Sequence, residues 1–157
     1  MIAAHPYRVG YGTEGLDQLP FDAVEVYSLH MHRGAHQRAV ALAERRGFRK
    51  VATSDAHRLD AVGLYAIRLD APVASEAALA DAILAGAYEL YADAPRLAAL
   101  NRQRASAWRE ADRLIDDGLD DDAIVAAVEG VGHTEVRMLR EGRPLGWPLP
   151  DVVDVFE

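Results

Sequence analysis

The segment Ser54-Asp55-Ala56-His57 follows the apolar run Val51-Ala52-Thr53. Side chains alternate faces along extended chain, so Asp55 and His57 are expected to point the same way at the end of a strand. A carboxylate oxygen and an imidazole nitrogen converging there are ligands that zinc, manganese or iron accept. A second strand end lies at Ile2-Ala3-Ala4-His5-Pro6. Pro6 has no N–H to give to a ladder, which leaves His5 at the rim. Two strand tips therefore present metal-type ligands.

The elements that must position these tips are legible in the apolar pattern. Strands are expected near Ile2-Ala4, Ala23-Tyr27, Lys50-Ser54 and Tyr65-Leu69, each short and apolar as buried parallel strands are. Between the second and third, Gln37 to Arg46 places Ala39, Val40, Leu42 and Ala43 at helical spacing, and Gly47 is a natural stop. That order predicts a right-handed crossover. Ser75 can cap a helix through Ala85, with Ala78, Leu79, Ala82 and Ile83 on its apolar face and Gly86 ending it. From Pro95 the character changes. Leu97, Leu100, Trp108, Ala111, Leu114 and Ile115 predict a long helix, and two shorter ones come after it, about Asp121 to Val128 and Thr134 to Arg140. The tail is punctuated by Pro144, Pro148 and Pro150.

The order of short motifs carries a resemblance. Ala4-His5-Pro6, then Asp22 to Tyr27, an alanine-rich helix ending Arg46-Gly47-Phe48, and Ala52 to His57 resembles the C-terminal half of the PHP family (polymerase and histidinol phosphatase). It continues through Val62 to Ile67 into the helix near Ser75. The resemblance implies an α/β fold, a partial (β/α) barrel of parallel strands over residues 1–92; the helical spacing after it reads as an extension over residues 93–157. It implies metal-dependent phosphoester hydrolysis with Mn, Zn or Fe, and His5, Asp55 and His57 as metal ligands and catalytic residues. A metal so held lowers the pKa of bound water to about 7 and makes hydroxide available for attack on phosphorus. The implied substrate is a phosphorylated small molecule or nucleotide. Family members open with a His-x-His pair and further ligands, and no such region precedes His5.

Other residues can be weighed against that chemistry. Arg8 and Arg58 come closely after His5 and His57, and a guanidinium fork matches phosphate oxygens. They are the candidate substrate-binding residues, with solvated surface arginines as the alternative. His30, His32 and His36 form a second cluster, which is either a further source of metal ligands or an ordinary His-rich turn. They cannot all converge unless the backbone changes state between them. Glu25 lies opposite Val24 and Val26 and would accept from a ligand imidazole or pair with an arginine. Gly10-x-Gly12-x-x-Gly15 matches a dinucleotide fingerprint in letters only and reads as a loop over the site.

Composition narrows the classes. A chain of 157 residues is normally one domain, short of the roughly 200 or more that a closed barrel needs. It contains no cysteine, which excludes disulfides and thiolate metal sites. No apolar run reaches membrane-spanning length and the N-terminus lacks the order of a signal peptide, so a cytoplasmic protein is expected. The net charge of −8, with Lys50 the sole lysine, opposes general nucleic-acid binding. A competing reading takes Ala126, Gly130, Val131, Val136 and Leu139 as a helix-turn-helix presenting His133, Thr134, Arg137 and Arg140 to DNA. Asp116, Asp117, Asp120, Asp121 and Asp122 oppose it. A third reading is a non-catalytic remnant serving as a scaffold. An open half-barrel must have its exposed side covered, so a homodimer, or a longer protein with an N-terminal half, is expected.

Overall fold

Five consecutive residues, Ala23–Tyr27, are buried, and they form the centre of the molecule as strand β2. A strand covered on both faces needs partners on both edges, and β1 (Ile2–Ala3) and β3 (Arg49–Ala52) supply them, both parallel. The structure, a computed structural model, describes residues 1–8 and 15–143. The tail prolines and Gly10 and Gly12 of the glycine fingerprint lie outside the described residues. Gly15, in the left-handed region, precedes a short 3-10 turn at Leu16–Gln18.

Helix α1 (Arg33–Arg46) makes the crossover from β2 to β3 and buries Ala35, His36, Ala39, Val40, Leu42 and Ala43. It starts four residues earlier than the apolar spacing alone predicts. His32 supplies the reason: its Nδ1 accepts the Ala35 amide at 3.2 Å, so the helix is capped there. Gly47 ends it with φ of 67°, and Gly47 N–H reaches the carbonyls of the last turn. Each large apolar side chain of this layer contributes roughly 1.5–3 kcal/mol by burial. Tyr27 and Tyr65 stack within it at a centroid separation of 5.6 Å.

The expectation of parallel strands throughout is corrected beyond β3. Strand β4 (Tyr65–Leu69) pairs antiparallel with β5 (Tyr88–Ala92), in a separate two-stranded sheet. Helix α2 (Glu76–Ala85) lies between them, capped by Ser75 and ended by Gly86. The amide of Asp70 meets the carbonyl of Ala87 at 3.1 Å, so the chain between is the arm of a wide hairpin rather than a crossover. Arg49 donates to the carbonyls of Leu84 and Ala85, placing a cation on the C-terminus of α2. Ala78, Leu79, Ala82 and Ile83 are only half-buried. Among the described residues the strands close no barrel.

The two sheets meet through side chains. Ser54 Oγ donates to the Tyr65 carbonyl at 2.9 Å and accepts the Tyr65 amide at 3.0 Å, taking the place of a strand partner. The Tyr88 hydroxyl donates to the Lys50 carbonyl at 2.6 Å.

Helices α3 (Ala94–Asp116), α4 (Asp121–Ala127) and α5 (His133–Arg140) complete the described chain. Pro95 sits in the first turn of α3, as the sequence predicts, and Asp93 caps the helix. The long helix belongs to two cores. Leu97 packs into the cluster around β2, whereas Ala111 joins Ile124, Val128, Val131 and Val136 in a second. No helix of the described residues is long and apolar enough to cross a membrane.

Candidate metal site at the strand ends

Parallel strands bring their C-terminal ends to one edge, where open α/β sheets place their ligands. Here β1, β2 and β3 end at Ala3, Tyr27 and Ala52. The chain leaving them carries His5, then Ser28 to His30, then Asp55 to His57. Pairing slips in register between Glu25 and Tyr27 against β3. Such a bulge beside a strand end re-aims the side chains just beyond it.

His30, Asp55 and His57 each offer a ligand atom, and these atoms all lie within 4.8 Å of one another. The two imidazoles face each other at a centroid distance of 4.6 Å. His57 Nε2 stands 3.7 Å from Asp55 Oδ1, and Arg8 Nη1 3.9 Å from Asp55 Oδ2. His30 Nε2 lies 3.0 Å from the Asp55 carbonyl. A carbonyl can only accept, so Nε2 carries the proton and the neutral ring keeps its lone pair on Nδ1. Burial lowers the pKa of His30, helped by the charges of Arg8 and His57 and opposed by Asp55. The ring is thus poised neutral, as a metal ligand must be.

Asp55 Oδ2 is buried and accepts no hydrogen bond among the described residues. A buried carboxylate oxygen costs free energy until something positive or a donor meets it. With two imidazoles alongside, the donor set is that of a zinc, manganese or iron site. The residues present therefore fit a divalent cation.

The way Asp55 and His57 come together corrects the expected geometry. They do not sit on extended chain: β3 ends at Ala52, and Asp55 has φ of 45°. The left-handed turn, not strand alternation, brings the two side chains to one point. His5 and Tyr7 share this conformation, with φ of 28° and 68°. All three non-glycine residues with positive φ among those described thus lie in the segments leaving β1 and β3. Such conformations cost of order 1–3 kcal/mol and persist only where neighbours over-determine them. Arg38 stacks over the Tyr7 ring at 4.1 Å, and Glu25 ties the two segments together.

Glu25 is 3% exposed. One of its oxygens accepts the His5 amide and the other the Thr53 hydroxyl. Its pKa is raised by burial, against the lowering effect of those two bonds and of the His5 charge. Glu25 therefore holds the ends of β1 and β3 in one arrangement through a backbone amide and a hydroxyl. His5 itself lies outside the group of three.

The remaining expected residues separate clearly. His32 is the cap of α1. His36 is fully buried, with Nδ1 2.9 Å from the Val26 carbonyl and Nε2 2.8 Å from that of Met31. Burial pushes its pKa down to about 4, although both carbonyls favour a proton. Arg58 is exposed and pairs with Asp60 at 3.3 Å. In the helical unit, His133 pairs with Asp122 and Arg140 with Asp121, each at 2.8 Å, so half of the side chains expected to read DNA are bound to the acidic helix beside them. Sequence reasoning ranks His30 low because it groups that residue with His32 and His36. Its position three residues past the end of β2 is the signal that separates it.

Residues 33–88 match the family model described as PHP-associated. The match supports a PHP-family C-terminal region over this segment. It contains Asp55, His57 and Arg58, whereas His5 and His30 precede it and α3 to α5 lie beyond it. Searches of the curated proteins and of the solved structures found no match.

Proposed function

We propose that the chain carries a PHP-type hydrolytic site, in which His30, Asp55 and His57 hold a divalent cation that acts on a phosphate ester. The observation that carries this reading is the buried Asp55 Oδ2, without a hydrogen bond among the described residues, beside two imidazoles. Bound there, zinc, manganese or iron would supply Lewis acidity, drawing charge from the phosphoryl oxygens and acidifying water. Three protein ligands would leave room for a substrate oxygen on a cation held there.

The chain's own residues do the rest. His30 keeps its lone pair free because its other nitrogen is tied to the Asp55 carbonyl, which also fixes the ring's orientation. Arg8, already drawn toward Asp55, is placed to take a phosphoryl oxygen with its guanidinium fork. Glu25 and Ser54 do not reach the substrate. They brace the segments that carry the ligands, Glu25 across β1 and β3 and Ser54 against β4.

The test is release of phosphate from an aryl phosphate with zinc or manganese added. Disturbing groups behind a metal ligand costs roughly 10–100-fold, so Asp55→Asn, which alters a ligand, is expected to cost at least about 100-fold. Equal rates in variant and parent would sink the proposal.

A further inference from the structure

A cleft enclosing about 370 Å³ lies between α3 and the segment just past His57. Leu29 and Arg58, the chain neighbours of His30 and His57, line it. It therefore begins one residue away from two of the three groups of the metal site. Its walls carry Leu64, Leu100 and Ala107, with three arginines and the carboxylates of Asp60 and Glu129 set among them.

Those arginines are not equivalent. Arg58 is engaged by Asp60. Arg96 is spent on structure, donating to the carbonyls of Asp60 and Val62 and pairing with Asp93 at 3.5 Å. It is a positioning residue that fixes the segment Arg58 to Leu64 against α3. Arg104 is different. Half-buried on α3, it closes no hydrogen bond or ion pair among the described residues. Glu135 acts on it through charge without closing an ion pair, and one Glu135 oxygen is taken by the Gly132 amide at 3.1 Å. Burial accordingly pushes the Arg104 pKa down. A guanidinium withdrawn from water without a matched anion is costly to keep, and its planar fork suits a carboxylate or a phosphate.

We propose that this cleft receives the organic part of the substrate, and that Arg104 binds a second anionic group on it, a carboxylate or a further phosphate. The volume lies at the small end of ligand pockets, roughly 300–1000 Å³, which suits a skeleton of a few carbons rather than a nucleotide. The placement of the first phosphate rests on the metal site proposed for His30, Asp55 and His57. The cleft and its arginine do not.

The experiment is titration calorimetry with 3-phosphoglycerate and with glycerol 3-phosphate, which replaces the carboxylate by a hydroxymethyl group, on zinc-loaded and metal-free protein. The carboxylate-bearing ligand is expected to bind at least about tenfold more tightly in both states, near 1.4 kcal/mol. Arg104→Gln should erase that preference, and Arg104→Lys, which keeps the charge, should retain part of it. Equal affinities in the parent, no binding of either ligand, or a preference that survives Arg104→Gln would overturn the assignment. Zinc that tightens neither ligand while the preference persists would remove the metal reading and leave the cleft standing.

Discussion

The strand ends and the α4–α5 pair use the same residue types, histidine, aspartate and arginine, yet they are left in opposite states. In the helical unit the charges are consumed locally: His133 meets Asp122, Arg140 meets Asp121, and Arg113 meets both Glu110 and Asp117. These pairs are exposed and each side chain is held by its own partner, so the surface they form has little left to offer a ligand. At the strand ends Arg8 pairs with Asp55 Oδ2 only at 3.9 Å, and that oxygen is buried without a hydrogen bond. Residue type and clustering alone therefore do not make a site. What marks one is a group withdrawn from water and held, by backbone turns and buried braces, where its own protein gives it no hydrogen bond.

This contrast can be challenged from either side. The largest effect is expected in the helical unit's core. Ile124 is fully buried, and Ile124→Ala should cost roughly 2–5 kcal/mol of that unit's stability. Metal content per chain should be unchanged, because the ligands rest on the other core. Loss of metal together with the helices, monitored by elemental analysis and circular dichroism, would show the two regions to be one cooperative site.

The next effect belongs to His36, behind the strand ends. Its folded pKa of about 4 lies below the ordinary 6.5, so the unfolded chain binds the extra proton between those values. Stability is therefore full above about pH 6.5, falls as pH drops, and levels off near 4, by roughly 3 kcal/mol in all. Urea midpoints at pH 7 and pH 4.5 should separate further in the parent than in His36→Gln. Parallel losses in the two proteins would assign the acid sensitivity elsewhere.

The smallest effect is expected at the exposed pairs. Arg140→Ala should change stability by less than about 1 kcal/mol, since solvent screens such pairs. A larger loss in thermal denaturation would mean that the α4–α5 pairs are more than mutual neutralisation.

Much of this can be read from the chain because the information is local. Asp55 and His57 are two residues apart, Ser75 and Gly86 bracket a helix, and Pro95 opens another. The features that escape such a reading are set by tertiary placement. His30 joins Asp55 only because parallel pairing brings the ends of β2 and β3 side by side, and the left-handed turn at Asp55 has no signature in an Asp that tolerates several conformations. Strand β5 has a signal, the tyrosines and leucine of Tyr88–Ala92 after a turn glycine. Its antiparallel pairing depends on where α2 lies. Arg104 looks like any polar position on a long helix until the cleft beside it is known.

Everything proposed for the site depends on the strand ends holding a metal through His30 rather than through a chain-local pair alone. Elemental analysis after equilibration with zinc decides the matter, using untagged parent, His30→Ala, His5→Ala and His133→Ala. About one zinc per chain is expected in the parent and in His133→Ala, somewhat less than one in His5→Ala, and no bound zinc in His30→Ala. A parent without metal, or a His30→Ala variant that keeps its zinc, would contradict the assignment.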